Sequence, residues 1–173
     1  MADLTFAAVR QLRAGSEPIP TLSETLETAR GRVRWLVEIK DSAAVDDVVT
    51  VIRSAGLTDV CTISCFDEVV LARVKEMCPA LATAWFHLAP GPLAAADLVA
   101  RLGVELLIVW PPAAHPDVIA AAQEAGMAIR SGLPDNLTYE QTAAEVRRMV
   151  ELGIPEISCG RPDWIGRAFG ELE

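Results

Sequence analysis

Short apolar segments alternate with amphipathic helical patterns from about residue 34 to the end of the chain. Six of the apolar segments predict strands, at 34–40, 59–64, 81–87, 104–110, 127–131 and 156–159. The intervening patterns predict helices at 42–55, 67–77, 93–102, 116–125, 138–152 and 162–172. The strands are apolar almost throughout, which is typical of a parallel sheet that is covered on both faces.

The ends of the predicted helices carry the residues that helix ends require. Glycine, which readily adopts the left-handed conformation that ends a helix, follows four of the helical patterns, as Gly56, Gly103, Gly126 and Gly153. Thr21 with Glu24 and Thr138 with Gln141 have the spacing of capping boxes, in which each side chain binds a free backbone N–H at the start of a helix.

Strands that alternate with helices predict βαβ units and a parallel sheet. An open doubly wound sheet and part of a closed (β/α)8 barrel both fit this order. The glycine motifs of dinucleotide-binding and P-loop proteins do not occur in the sequence. A chain of 173 residues predicts one domain, taken here as 1–173.

Composition narrows the classes of function. The chain has 15 Lys and Arg against 24 Asp and Glu, for a net charge of −9, which argues against a nucleic-acid partner. Neither a transmembrane segment nor a secretory signal is predicted, so the expected location is the cytoplasm. The four cysteines contain no C-x-x-C pair and are expected to be free thiols, most of them buried.

In parallel α/β folds, functional groups gather at the carboxyl ends of the strands. Glu38 and Lys40 end the first predicted strand and point to the same face, opposite Val37 and Ile39. Two charges inside a sheet are costly unless they are paired or face a ligand. Two interpretations therefore stand, a structural ion pair and the centre of a ligand or metal site.

The other candidates lie at the ends of the remaining strands. His87 is a candidate acid or base, Arg130 a candidate anion-binding group, and Cys159 a candidate thiol. Glu38, Lys40 and His87 are the predicted catalytic residues. The predicted ligand-binding residues are Ser64, Trp85, Trp110, Arg130 and Cys159.

The opening segment at 2–27 and three shorter motifs together resemble one known family. The motifs are W-L-V-E-I-K at 35–40, T-I-S-C-F-D at 62–67 and G-I-P-E-I-S-C-G-R-P-D at 153–163. In order and spacing they resemble the bacterial glycerophosphodiester phosphodiesterases, whose fold is a (β/α)8 barrel. The resemblance implies an incomplete barrel of about six parallel strands, with Glu38 at a metal-binding position and Lys40 at a phosphate-facing position.

The departures from the family concern its catalytic apparatus. The family's H-R-G, E-x-D and H-D motifs, which hold both catalytic histidines and two metal-binding carboxylates, do not occur in the sequence. Neither His87 nor His115 aligns with a catalytic position. Hydrolysis of phosphodiesters by this chain alone is therefore not expected. No cofactor is expected either, although a divalent metal such as Mg²⁺ or Ca²⁺ at Glu38 stays an open alternative.

Three functional hypotheses follow. The first is a degenerate barrel that binds a small anionic or phosphorylated ligand. The second is a repurposed enzyme, of lyase, cyclase or isomerase type, with a pocket that contains Glu38, Lys40 and His87. The third is a subunit that hydrolyses phosphodiesters only together with the missing segment. Because six strands leave a barrel open, we expect either a homodimer that closes it or an N-terminal segment, 3–13 with 21–29, that folds across the gap.

Overall fold

The structure is a computed structural model that describes residues 4–170. Its strands are β1 (Arg13–Ala14), β2 (Glu17–Pro18), β3 (Trp35–Glu38), β4 (Cys61–Cys65), β5 (Ala82–His87), β6 (Leu106–Val109), β7 (Ala128–Gly132) and β8 (Glu156–Ser158). Its helices are α1 (Phe6–Val9), α2 (Leu22–Thr28), α3 (Val45–Ser54), α4 (Glu68–Met77), α5 (Ala95–Leu102), α6 (Pro116–Glu124), α7 (Tyr139–Glu151) and α8 (Pro162–Gly170). The end of the last predicted helix, at 171–172, lies outside the described residues.

Strands β3 to β8 form one parallel sheet in the order of the chain, so that each strand pairs with its sequence neighbours. The sheet curls into an incomplete barrel, which confirms the predicted fold class. Within residues 4–170, β3 and β8 each pair on one side only. The small antiparallel pair β1–β2 precedes this sheet.

The hydrophobic core lies between the convex face of the sheet and the surrounding helices. From the sheet it receives the fully buried side chains of Ile63 and Leu107, and from the helices those of Leu71 and Met149. Because helices cover the convex face, most strand side chains that point to it are apolar. The concave face of the sheet is the one that remains open. None of the helices within residues 4–170 combines the length and hydropathy needed to cross a lipid bilayer.

Most element ends agree with the sequence signals. Both predicted capping boxes are present, at Thr21 and at Thr138. The predicted start of the second strand at 59 is wrong, because Thr58–Val60 forms a 3-10 turn. The carbonyl oxygen of Leu57 accepts hydrogen bonds from the N–H groups of Val60 and Cys61, which holds the chain in the turn up to the first residue of β4.

The N-terminal segment, whose residue 3 lies outside the described residues, is anchored to the helical layer through α2. Helix α2 packs against α3, and its Leu26 is fully buried in the core of the helical layer. The guanidinium of Arg10 bonds the Glu24 carboxylate and the carbonyl oxygen of Ile19, which ties the preceding segment to α2. The apolar contact of Leu26 thus fixes α2 beside α3.

Candidate ligand-binding site

The carboxyl ends of the strands surround a cavity of about 400 Å³ on the concave face, which we call the C-terminal cavity. Alternation along β3 to β8 directs every second side chain into it. The loops that follow β7 and β8 complete its wall. The lining residues are Leu36, Glu38, Ser64, Phe86, Ile108, Trp110, Arg130, Gly132, Leu133, Asp135, Ser158, Cys159 and Gly160.

Glu38 and Lys40 lie on the same face of the chain and form an ion pair of 2.9 Å between Nζ and Oε1. The Glu38 side chain is 33% exposed and lines the cavity, whereas that of Lys40 is 78% exposed. Ile39 between them is buried in the core on the opposite face. The carboxylate therefore belongs to the wall and the ammonium group to the rim.

Ser64 provides a buried hydroxyl to the same cavity. It pairs in register with Glu38 on the neighbouring strand and is 0% exposed. Its Oγ has no hydrogen-bond partner among the described residues. A buried polar group without a partner costs about 1–3 kcal/mol, so a polar ligand atom that reached this hydroxyl would be stabilised.

Arg130 lies midway along β7 on the concave face, where it lines cavities towards both ends of the strand. Its Nη2 donates to the carboxylate of Glu156 on β8, while its buried Nε has no partner within residues 4–170. Burial lowers the pKa of Arg130 from its ordinary value, because desolvation disfavours the charged guanidinium. An anion beside this guanidinium would stabilise its charged form and so offset the cost of burial.

Arg130 also separates the C-terminal cavity from a second one. This second cavity, of about 380 Å³, lies at the amino ends of the strands and includes Arg34, Thr62, Glu105 and Leu106. Glu105 is bound by Lys75 and by the backbone N–H of Thr83. Function in parallel α/β folds gathers at the opposite, carboxyl end, so we take the C-terminal cavity as the site.

Asp135 and Gly160 join the loops that follow β7 and β8. The backbone N–H of Gly160 donates to Oδ1 of Asp135 over 2.8 Å. A Cβ atom at position 160 would lie 2.6 Å from that same oxygen. Glycine is therefore needed here for space, since any side chain would displace the carboxylate that closes this part of the rim.

We expect Gly160→Ala to destabilise the fold by about 1–2 kcal/mol, because the clash breaks a charge-assisted hydrogen bond between two loops. Urea denaturation followed by circular dichroism measures this change. Gly166→Ala on α8 is the matched control, since a Cβ there has open space and alanine favours a helix. Equal stability of the two variants would contradict the expected role of the Asp135 contact.

Trp85 and His87 do not line the C-terminal cavity, which corrects the predicted pocket of Glu38, Lys40 and His87 and the prediction of Trp85 as a ligand-binding residue. Trp85 pairs in register with Cys65 and Leu107, in the row that packs against the helices. Nε2 of His87 is 3.2 Å from the carbonyl oxygen of Gly91 in the following loop. His115 precedes α6 and lines a different cavity. Phe86, between Trp85 and His87, is the β5 residue that lines the C-terminal cavity.

The structure adds residues that the sequence did not single out. Phe86 stacks on Phe66, with 4.2 Å between the ring centroids, and Asp135 enters from the loop after β7. Phe66 directly follows the end of β4. This position after a strand end could have identified it as a candidate from the sequence. The other predicted residues at the cavity are Ser64, Trp110, Arg130 and Cys159.

The described residues do not fit a divalent metal by themselves. Among residues 4–170, no three His, Cys, Asp or Glu side chains are grouped so as to hold a metal ion, and Glu38 is already paired with Lys40. The cysteines are free thiols. Cys61, Cys65 and Cys78 are buried, and desolvation raises the pKa of Cys61. Cys159, at the cavity, is the partly exposed one.

No family profile and no curated protein sequence matches this chain. Several solved structures, in contrast, are similar to this chain. A protein from Galdieria sulphuraria assigned as a glycerophosphodiester phosphodiesterase gives a TM-score of 0.82 at 16% identity, over 95% of this chain and 70% of that one. The fold is that of the glycerophosphodiester phosphodiesterases. A protein from Silicibacter pomeroyi assigned to this class gives 0.80 at 19% identity, over 99% of this chain and 69% of the other.

A glycerophosphodiester phosphodiesterase from Parabacteroides distasonis gives a TM-score of 0.76 at 15% identity, over 98% of this chain and 72% of that one. At these identities the likeness concerns the fold. It confirms the resemblance that the three sequence motifs indicated. The chain therefore corresponds to about 70% of the length of those phosphodiesterases.

Proposed function

We propose that the chain binds a small phosphorylated or otherwise anionic molecule in the C-terminal cavity and does not hydrolyse phosphodiesters alone. One observation carries this proposal. Two residues that line the cavity, Arg130 and Ser64, carry buried hydrogen-bond donors, Nε and Oγ, that have no partner among the described residues. A ligand that supplies acceptor oxygens would satisfy both.

The chemistry of the cavity favours an anion as that ligand. A guanidinium binds phosphate and carboxylate oxygens with charge-assisted hydrogen bonds, which are stronger than neutral ones. Lys40 lies at the rim, where its ammonium group is paired with Glu38. The volume of about 400 Å³ lies in the range of cavities that hold small molecules. The phosphodiesterase fold supports phosphate as the anionic group.

The same geometry argues against the enzymatic hypotheses for this chain alone. General acid–base catalysis requires a proton-transferring group within hydrogen-bond reach of the substrate. His87 lies on the other face of the sheet and His115 lines another cavity. The alternative, a lyase, cyclase or isomerase that uses Glu38, Lys40 and His87, loses one of its three groups in this way.

We expect Lys40→Met and Glu38→Gln to change the affinity for glycerol 3-phosphate in opposite directions. Lys40→Met removes an attractive charge at the rim, and Glu38→Gln removes a repulsive one and releases Lys40. Each change should amount to about two- to fivefold, since exposed ion pairs contribute about 0.2–1 kcal/mol. Isothermal titration calorimetry measures both values.

Arg13→Met is the matched control for the loss of a positive charge, since Arg13 is exposed on the β1–β2 hairpin. It should leave the affinity unchanged. The site assignment is wrong if neither Lys40→Met nor Glu38→Gln differs from the parent protein. Loss of the folded state in either variant, seen by circular dichroism, would instead assign the pair a structural role.

We also propose that two copies associate near the open side of the barrel. The edges of β3 and β8 have a neighbour on one side only within residues 4–170, and unpaired strand edges favour association. Leu36 on the edge strand β3 is an exposed apolar side chain. Burial of such surface contributes about 25 cal/mol per Å², and twofold dimers are the commonest oligomers.

Light scattering at micromolar concentration tests this proposal. We expect about twice the 18.6 kDa mass of one chain, and Leu36→Glu should shift the mass towards that of a monomer because it places a charge on the edge strand. Val150→Glu on the exposed side of α7 is the control. A mass of one chain for the parent protein would refute dimerisation.

A further inference from the structure

Aromatic side chains form one wall of the C-terminal cavity. Phe86 and Trp110 line the cavity, and Phe66 stacks on Phe86. Phe66 is 52% exposed and Trp110 is 39% exposed. Phe6 and Phe169 are exposed elsewhere, at 68% and 39%, whereas Phe66 and Trp110 are grouped with Phe86 at one cavity. Their exposure at the mouth of one cavity points to a ligand that covers them.

The wall is held in place before any ligand binds. The rings of Phe66 and Phe86 are nearly parallel, at 11°, and come from the ends of two neighbouring strands. The indole of Trp110 lies against Gly132 on β7, with its Nε1 3.2 Å from the place that a Cβ would occupy. Glycine at 132 thus allows the ring to lie close to the backbone. Preorganised aromatic surfaces bind with a small loss of conformational entropy.

Polar groups belong to the same cavity as this wall. The fully buried hydroxyl of Ser64 and the guanidinium of Arg130 provide donors without partners among the described residues. The cavity is therefore amphipathic, because residues with unpartnered donors and residues with aromatic rings line it together. A purely polar ligand such as glycerol 3-phosphate would leave the aromatic surface exposed to water.

We infer that the ligand is a phosphate ester whose alcohol part is a flat or branched apolar group, and that this group packs on Phe66, Phe86 and Trp110. The inference rests on the proposed function, because it assumes that the donors bind the anionic group. It adds the chemical class of the alcohol part of the ligand.

Calorimetry with three probes tests the inference, namely inorganic phosphate, glycerol 3-phosphate and phenyl phosphate. Phenyl phosphate should bind at least about tenfold more tightly than glycerol 3-phosphate, since only its ring buries apolar surface against the wall. Alkylation of Cys159 reports occupancy at the site itself, because Cys61, Cys65 and Cys78 are buried. Phenyl phosphate should slow this alkylation at a lower concentration than glycerol 3-phosphate does.

Two variants assign the preference to the wall. Trp110→Ala and Phe66→Ala should each lower the ratio of the affinity for phenyl phosphate to the affinity for glycerol 3-phosphate at least threefold. Both side chains are partly exposed, so the fold should tolerate their loss. Phe169→Ala on α8 is the matched control, since Phe169 is 39% exposed, as Trp110 is, and does not line the cavity.

The outcomes separate the inference from the proposed function. Equal affinities for phenyl phosphate and glycerol 3-phosphate, with Cys159 protected by both, would overturn the inference and leave the proposed function standing. Failure of all three probes to bind would overturn both. A preference for phenyl phosphate that survives in Trp110→Ala and Phe66→Ala would overturn the assignment to this wall.

Discussion

Purified protein is expected to leave glycerophosphocholine intact in the presence of Mg²⁺ or Ca²⁺. Its C-terminal cavity contains no imidazole, since His87 and His115 lie elsewhere. One positioned acid or base contributes about 10²–10⁴-fold to such a reaction, and a metal ion contributes further stabilisation of the transition state. The rate should therefore lie at least about 10⁴-fold below that of an active phosphodiesterase of this fold.

Phosphorus NMR over a day at micromolar protein concentration measures this rate directly. An active glycerophosphodiester phosphodiesterase, assayed in parallel, is the positive control. Turnover that elutes with the protein in gel filtration and is lost in Glu38→Gln would contradict the expectation. It would show that Glu38 acts in catalysis, the role that the motif resemblance implies for a metal-binding Glu.

Arg130→Met should weaken the binding of glycerol 3-phosphate by about ten- to a hundredfold. Hydrogen bonds to a charged group contribute about 1.5–3 kcal/mol to an interaction, which corresponds to such a factor. Arg130→Lys should retain part of the affinity, because it keeps the charge but not the planar arrangement of donors. Calorimetry measures all three proteins, and circular dichroism confirms that they are folded.

The control for this prediction is Arg34→Met. Arg34 lines only the second cavity, at the amino ends of the strands, whereas Arg130 lines both cavities. Unchanged affinity in Arg34→Met together with a loss in Arg130→Met would assign the anion to the C-terminal cavity. Equal losses in both variants would move the site to the amino ends of the strands and would contradict the assignment made above.

The fold was predictable because its signals are local in the sequence. Helix ends marked by glycine or by a capping box, such as those at Thr138 and Gly153, depend on neighbouring residues alone. The displaced start of β4 shows the limit of such signals. The 3-10 turn at Thr58–Val60 uses polar and apolar residues that also suit a strand, and only the hydrogen bonds to Leu57 distinguish the two.

The site was predictable only in part, because its geometry depends on contacts between distant residues. The run T-A-W-F-H in β5 has apolar side chains on both faces, so the sequence did not show that Phe86 faces inward and Trp85 outward. The contact between Asp135 and Gly160 joins two loops that are 25 residues apart. By contrast, Glu38 and Arg130 stood out because charges in an otherwise apolar strand are costly without a purpose.

The consecutive order of the strands also shapes how the molecule folds and opens. Within residues 4–170 the first strand of the sheet, β3, does not pair with the last strand, β8. Every ladder therefore joins two strands that are consecutive in the chain. Each ladder closes over a whole βαβ crossover, and parallel pairing of this kind forms more slowly than a hairpin. As in solenoid proteins, in which each unit contacts only its neighbours, opening can then begin at either end. The strands β5 and β6, which lie farthest from both ends of the sheet, would be the last to exchange their amide hydrogens.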